Sequence, residues 1–406
     1  MRLLFKMAWR NIWRNKRRSI LTLLAVGFAT LASIAMRGVQ LGTYEINIVN
    51  AVEMLTGYIQ IQRPDYKEDR SVNQAFYPDE NLITRLSEIP HIVSFSRRIY
   101  ADGLISKGDN SLGAAIIGVD KNEEQKVSRI LTRVTAGKVF DNPYEIVIGY
   151  KLLDNLKSKI GDEVVVLAQG ADGSMGNLKF KVVGALRTGS PQIDEMGVMM
   201  NLETADELLA MYGRIHAIAI KVDELTNIQE VKENILPLLN RKLGVYDWGE
   251  LMPDFKETIE FDNISGIFYL LILISIVAFG ILNTVLMSVT ERFNEFGVTL
   301  AIGMPQLKLV LLVLIETMML ALTGILIGNL LGWGVNYYLF VNPVEFGGEI
   351  KDLYELYGFM PVIKSSLEFS IFLNTTLTVM IISAIAVIYP LYKVYNLEPL
   401  KGIRYT

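Results

Sequence analysis

The chain has 406 residues, of which 51% are hydrophobic, and 39 lysines and arginines stand against 43 aspartates and glutamates, a net charge of −4. It has no cysteine and only two histidines, His91 and His216, which excludes disulfides, thiolate metal sites and a histidine-rich metal centre. No nucleic-acid partner is expected from so mildly acidic a chain.

Residues 1–18 carry seven basic residues and no acid. Over 5–18, Phe5, Ala8, Trp9, Ile12 and Trp13 fall on one helical face, with Lys6, Arg10, Arg14 and Arg17 on another. A basic helix with tryptophans on its apolar side lies in the headgroup plane. Trp9, Arg10, Trp13, Arg14, Arg17 and Arg18 are therefore expected to be interfacial anchors. The charged region and the apolar run after it are both too long for a cleaved signal peptide, so the spacing predicts an uncleaved first span.

Four stretches are free of charge: 19–36, 263–290, 317–344 and 369–392. A bilayer core takes ~20 apolar residues as helix. The runs predict four transmembrane helices, at 19–41 and at about 264–289, 309–340 and 369–392. Arg292 and Lys308 lie between the second and third, and Lys393, Lys401 and Arg404 follow the fourth. The loop 341–368 instead has five acids and two lysines. By the bias of basic residues toward the cytoplasm, both termini and 290–308 are expected inside. The large segment 42–262 is then extracytoplasmic, inserted between the first and second spans.

That segment reads as α+β. "GYIQIQ" alternates, and "IVSFSRRIYADGLIS" and "LGAAIIGVD" flank a turn at "KGDNS". "DEVVVLAQ" and "NLKFKVVGAL" flank the glycine-rich "GADGSMG", a second hairpin. "EIVIG" and "IHAIAIKV" read as strands, and "YKLLDNLKS", "ETADELLAMYG" and "ELTNIQEVKENILPLLN" as helices. Residues 251–262 are expected to form the stalk into the second span.

No catalytic constellation and no phosphate-binding loop is present, so the chain is not expected to be an enzyme. Energy must come from a partner or an ion gradient. Inside the spans the polar groups are few. Asn283 and Glu316 each lie roughly 12 Å along their helices from the 291–308 segment. They are expected either to approach one another or to leave Glu316 capping backbone or water. So few groups make no ion relay. Gly324, Gly328 and Gly332 stand four apart on the third span, a face that lets a helix of the same subunit come close.

"ERFNEFGVTLAIGMP" (291–305) lies between the second and third spans. Phe293, Phe296, Leu300 and Ala301 share a face, Gly303 sits where a helix stop belongs, and Pro305 follows. The pattern predicts a separate helix over 291–302. It either rests on lipid or docks into a cytoplasmic protein. One basic residue in twelve gives lipid binding little electrostatic help, which favours docking.

"SVTERFNEFGVTLAIGMPQLKLVLLVLIETMMLALTGILIGNLLG" resembles the FtsX-type permease domain of ABC transporters, as do "AWRNIWRNKRRSILTLLAV" and "YPLYKVYNLEPLKGIR". "LTGYIQIQRPDY", "EIVIGYKLLDNLKSKIGDEVVVL" and "FKVVGALRTGSPQIDEMGVMMNLETADELLAM" look like the lipoprotein-releasing permeases of the LolC/LolE type. The resemblance implies a bacterial inner-membrane subunit, with residues 263–406 as permease domain and 291–302 as the coupling helix. Glu291, Arg292, Phe293, Glu295, Phe296, Gly297, Leu300 and Gly303 would then couple it to a separate ATPase dimer, which alone binds ATP and magnesium. It also implies a second permease subunit, a lipoprotein or other amphiphile as cargo, and a periplasmic carrier or adaptor. MacB-type efflux permeases and FtsX-type mechanotransmitters share the architecture.

Overall fold

The structure is a computed structural model and describes residues 2–356 and 359–397. The Glu398–Pro399 and Arg404 part of the C-terminal resemblance, and Lys401, lie outside the described residues. The chain divides into two compact units, one of residues 1–44, 258–345 and 362–406, the other of residues 45–257 and 346–361.

It opens with helices α1 (Arg2–Arg14) and α2 (Lys16–Ala51). A single wider turn, Val52–Thr56, ends at Gly57, whose φ of 76° favours glycine. There follow β1 (Ile59–Gln62), α3 (Pro64–Glu68), α4 (Glu80–Leu86), β2 (Ile92–Lys107), β3 (Asn110–Val119) and α5 (Lys121–Val127). Next are β4 (Val134–Gly137), β5 (Glu145–Gly149), α6 (Tyr150–Asn155), β6 (Glu163–Gln169), β7 (Met175–Leu186), α7 (Pro191–Met196) and β8 (Gly197–Asn201). Then come α8 (Leu202–Leu208), β9 (Ala217–Val222), α9 (Ile228–Ile235), β10 (Gly244–Asp247) and α10 (Trp248–Leu251). The last part holds α11 (Pro253–Glu291), α12 (Phe293–Ala301), α13 (Gln306–Val341), β11 (Val344–Glu345), α14 (Gly348–Leu356), β12 (Val362–Ile363) and α15 (Phe369–Tyr395).

In the unit around residues 45–257, ten strands form one sheet in the order β10-β1-β9-β2-β3-β8-β5-β7-β4, and β6 pairs with β2 and β7. Both expected hairpins are present, β2–β3 closing at Lys107 and Asn110, and β6–β7 closing at Gln169 and Met175. The parallel pairs β3–β8 and β5–β7 make the sheet mixed. Its core is aliphatic: Ile59, Ile61, Ile105, Ile148, Val166 and Ile220 are fully buried.

His216 is buried in this sheet. Its Nδ1 accepts the Tyr100 N–H at 3.1 Å, its Nε2 donates to the Val72 carbonyl at 3.1 Å, and the ring lies 5.0 Å from Tyr66. The imidazole is thus held neutral, and burial pushes its pKa down to about 4. A depressed folded value means the unfolded chain binds the proton first, so stability falls as pH drops from about 6.5 toward 4. His216 should by itself cost the domain about 2 kcal/mol at pH 5. Hydrogen-exchange protection of β9 amides in the full chain should fall accordingly. His216→Gln should flatten that dependence between pH 6.5 and 5, and an unchanged slope would refute the assignment.

The other unit is helical. Four of its helices are long and apolar enough to span a membrane: Lys16–Met54, Pro253–Glu291, Gln306–Val341 and Phe369–Tyr395. All four overrun their charge-free runs, because charged residues mark the edge of the hydrocarbon and not the end of the helix. The expected stalk is therefore already helical from Pro253 onward. The basic helix expected over 5–18 breaks at Asn15 instead, so Arg17 and Arg18 belong to α2. The Ser19 hydroxyl donates to the Ile12 carbonyl at 2.8 Å across that break.

Candidate coupling site

The segment between α11 and α13 is a helix with two defined ends. After Glu291 the backbone leaves helical geometry at Arg292, with φ −104° and ψ 12°. Helix α12 then restarts at Phe293, two residues later than the spacing predicts, and runs nine residues, about 13 Å. At its far end Gly303 has φ 103°. The Gly303 N–H donates to the Leu300 carbonyl at 2.9 Å and the Met304 N–H to the Thr299 carbonyl at 3.2 Å. These are the two bonds of a Schellman stop, which needs the left-handed residue that glycine supplies. Pro305 is extended and α13 begins at Gln306.

Helix α12 has two apolar faces. Phe296, Gly297 and Leu300 are buried among Ala8 of α1, Val289 of α11 and Leu309 and Val313 of α13. Val298 and Ile302 lie on the opposite side, 48% and 83% exposed, with Leu307 beyond at 70%. Phe296 and Leu300, expected among the coupling residues, thus hold the helix to its own bundle, and the exposed face, which the sequence left open, carries Val298 and Ile302. Arg292 is buried as well and Phe293 half-buried. Of the eight residues expected to couple, Glu291, Glu295 and Gly303 are exposed.

Charge fixes the same helix. Arg292 Nη1 donates to both oxygens of Glu316, at 3.3 and 3.1 Å, and its Nε donates to Glu295 at 3.3 Å. Its guanidinium lies 4.9 Å over the Phe296 ring. Glu316 also accepts from Asn11 Nδ2 at 3.4 Å. Arg14 donates to both oxygens of Glu295 at 2.8 and 2.7 Å, and Arg18 to Glu291 at 2.5 Å. The Arg14 guanidinium, with help from Arg292, holds the Glu295 carboxyl below its ordinary range. Arg14 and Glu295 are both half exposed, so that pair adds little stability. The Arg292–Glu316 pair, with side chains 10% and 14% exposed, is the costly one to break.

Asn283 and Glu316 do not meet. The buried positions in the last turns of α11 are Ile281, Val285 and Val289, so Asn283 lies on the far side of the helix, exposed and without a hydrogen bond to any described residue. Equal depth in the membrane says nothing about rotational phase. Arg292, the one basic residue of the segment, was the available signal for the partner of Glu316.

The basic residues of α1 and the start of α2 also divide differently from the expectation. Leu4, Ala8 and Ile12 are its buried side, while Phe5, Trp9 and Trp13 remain about half exposed, the two indoles 5.8 Å apart edge to face. Arg10 and Arg17 are exposed, whereas Arg14 and Arg18 face the carboxylates of α11 and α12. Gly324, Gly328 and Gly332 lie against Val26, Thr30 and Ile34 of α2. Four residues on, the buried Asn336 donates to the Ile34 carbonyl at 3.1 Å, a contact the glycine pattern did not announce. Among the described residues no group of three or more histidines, aspartates or glutamates could hold a metal.

The family described as FtsX-like permease C-terminal matches residues 267–399, and the MacB-like periplasmic core domain matches residues 19–238. The lipoprotein-releasing system transmembrane protein LolC of Xylella fastidiosa (strain 9a5c) is 22% identical over 330 residues, 78% of each chain. An uncharacterized ABC transporter permease of Methanocaldococcus jannaschii is 23% identical over 343 residues, 80% of this chain and 81% of its own. The macrolide export ATP-binding/permease protein MacB 1 of Yersinia pestis bv. Antiqua (strain Antiqua) is 22% identical over 346 residues, 81% of this chain but 52% of its own length.

Proposed function

We propose, from the premise that this chain belongs to the ABC-transporter permeases with a MacB-like periplasmic core domain and an FtsX-like C-terminal domain, that it extracts lipoproteins from the inner membrane. ATP is bound with magnesium and hydrolysed on a separate ATPase dimer. Both termini and α12 face the cytoplasm, in keeping with the seven basic residues of 1–18. A second permease subunit completes the transporter, and a periplasmic carrier or adaptor receives the cargo.

One observation carries this reading. Helix α12 is anchored on its inner side and leaves Val298 and Ile302 exposed, one turn apart, on a short stiff element between two spans. Exposed apolar residues so placed suit docking into a partner protein. Likeness to LolC over 78% of each chain supports lipoprotein as the cargo.

The test is co-reconstitution with the co-purifying ATPase in proteoliposomes that hold a triacylated lipoprotein, with a soluble acceptor outside. ATP should drive transfer to the acceptor, and Ile302→Asp should cut transfer at least about tenfold, as loss of a central contact does. Export of a soluble peptide without lipoprotein transfer would overturn the cargo in favour of efflux. Full transfer by the Ile302→Asp protein would overturn the docking face.

A further inference from the structure

We infer that the inserted α+β domain carries a binding site for an uncharged acyl chain headed by an amide or ester. The site is a cavity of about 370 Å³ over one face of the sheet, at the small end of the range for small-molecule pockets. It is built by strand alternation. Along β1, Ile59 and Ile61 enter the aliphatic core, so Gln60 and Gln62 point to the other face. In the register Gln62 pairs with Ala217, and Ala217 pairs with Arg98. Two amides and a guanidinium thus share one face, and all three line the cavity.

Their hydrogen bonding is incomplete in a selective way. Gln62 is 3% exposed, yet its amide bonds to none of the described residues. Gln60 donates to the Thr56 carbonyl at 2.6 Å, and its own oxygen has no donor among them. The free amide positions are open to the cavity rather than sealed in the protein, so they are offered to whatever fills it. Arg98, by contrast, is already neutralised. It meets Glu124 at 2.7 Å, and Ser96 and Ser128 also donate to that carboxylate. Apolar walls come from Met54, Ile116, Ile193, Met199 and Met252, while the exposed Lys67, Arg70 and Asp102 line the solvent side. An anion would find no free cation at the buried end. An apolar chain finds the walls, and a neutral carbonyl finds the Gln62 amide. The volume suits one chain, not several.

The site stands whether or not the chain releases lipoproteins. The same chemistry has two sources, an amide from acylated cargo or an ester from membrane glycerolipid. The test uses the full chain in lipid nanodiscs with a diazirine-bearing dodecanamide, its methyl-ester analogue, the matching carboxylate and the headless chain. Crosslinked peptides are mapped by mass spectrometry.

The amide or ester probe should label β3 and the 191–199 segment saturably. Stronger labelling by the amide assigns the source to acylated cargo, since glycerolipid has no amide; stronger labelling by the ester supports a site for an ester-linked chain, which cargo and glycerolipid both carry. Gln62→Leu keeps the size of the side chain and should lower labelling about tenfold, the loss of one buried hydrogen bond. Ala115→Phe should block it by filling the cavity. Melting temperature reports whether each variant folds, and Gln62→Leu decides if Ala115→Phe does not. Equal labelling by the headless chain or the carboxylate, labelling unaffected by Gln62→Leu, or no label in these segments would overturn the inference.

Discussion

Arg292→Leu should destabilise the helical unit by about 3–5 kcal/mol, because it leaves the Glu316 carboxylate in the packed bundle with only Asn11 at 3.4 Å. The cost arises from stranding a charge rather than from losing a strong bond. The double variant Arg292→Leu with Glu316→Leu should therefore recover most of the loss, since an apolar pair of similar volume often matches a buried ion pair. Glu316→Gln should be milder than Glu316→Leu, as an amide oxygen still accepts from Arg292 Nη1. Thermal unfolding in nanodiscs reads all four. A single-variant loss below about 1 kcal/mol, the range of exposed pairs, would show that water reaches this pair.

Gly328→Leu should separate α2 from α13. A Cβ at Gly328 would lie 2.5 Å from the Thr30 Cβ and 2.6 Å from the Gly27 carbonyl oxygen, and neither can yield without moving backbone. Overpacking of this kind costs about 1–3 kcal/mol or more. Gly334 on the same helix is the control, since a Cβ there meets nothing within 4 Å. Gly334→Ala should leave the melting temperature unchanged or raise it slightly, as alanine favours helix. Equal effects at the two positions would mean that general helix propensity, and not the contact with α2, governs this span.

Both cases bear on what could be seen from sequence. The spans and the two hairpins were legible because their signals are local: charge-free runs for the helices, and apolar strands flanking "KGDNS" and "GADGSMG" for the hairpins. The stop at Gly303 was legible for the same reason. The orientation of α12 was not. Phe296 and Leu300 form one apolar stripe and Val298 and Ile302 another, and no rule of periodicity says which of two stripes faces its own bundle. The ionic contacts of Arg14 with Glu295 of α12 and of Arg18 with Glu291 of α11 join residues 281 and 273 positions apart, which spacing cannot reveal. The Asn283–Glu316 expectation failed because depth along a helix was read without its phase. In the α+β domain, "GYIQIQ" was correctly a strand, but alternation alone does not say whether its polar face is covered. The structure buries Gln60 and Gln62, because the face they share is roofed by other segments.

The closure of α12 has a mechanical consequence. Its first end is tied to α13 through Arg292 and Glu316, and its last end through the Gly303 stop and the Pro305 turn that starts α13. A short strut pinned at both ends to one beam makes a triangular bracket, which does not fold when pushed. Whatever presses on Val298 and Ile302 therefore moves the foot of a 36-residue helix rather than bending a loop. Tilting a strut of about 13 Å by ten degrees carries its tip only about 2 Å, but the same tilt passed to a helix of about 54 Å sweeps its far end through about 9 Å.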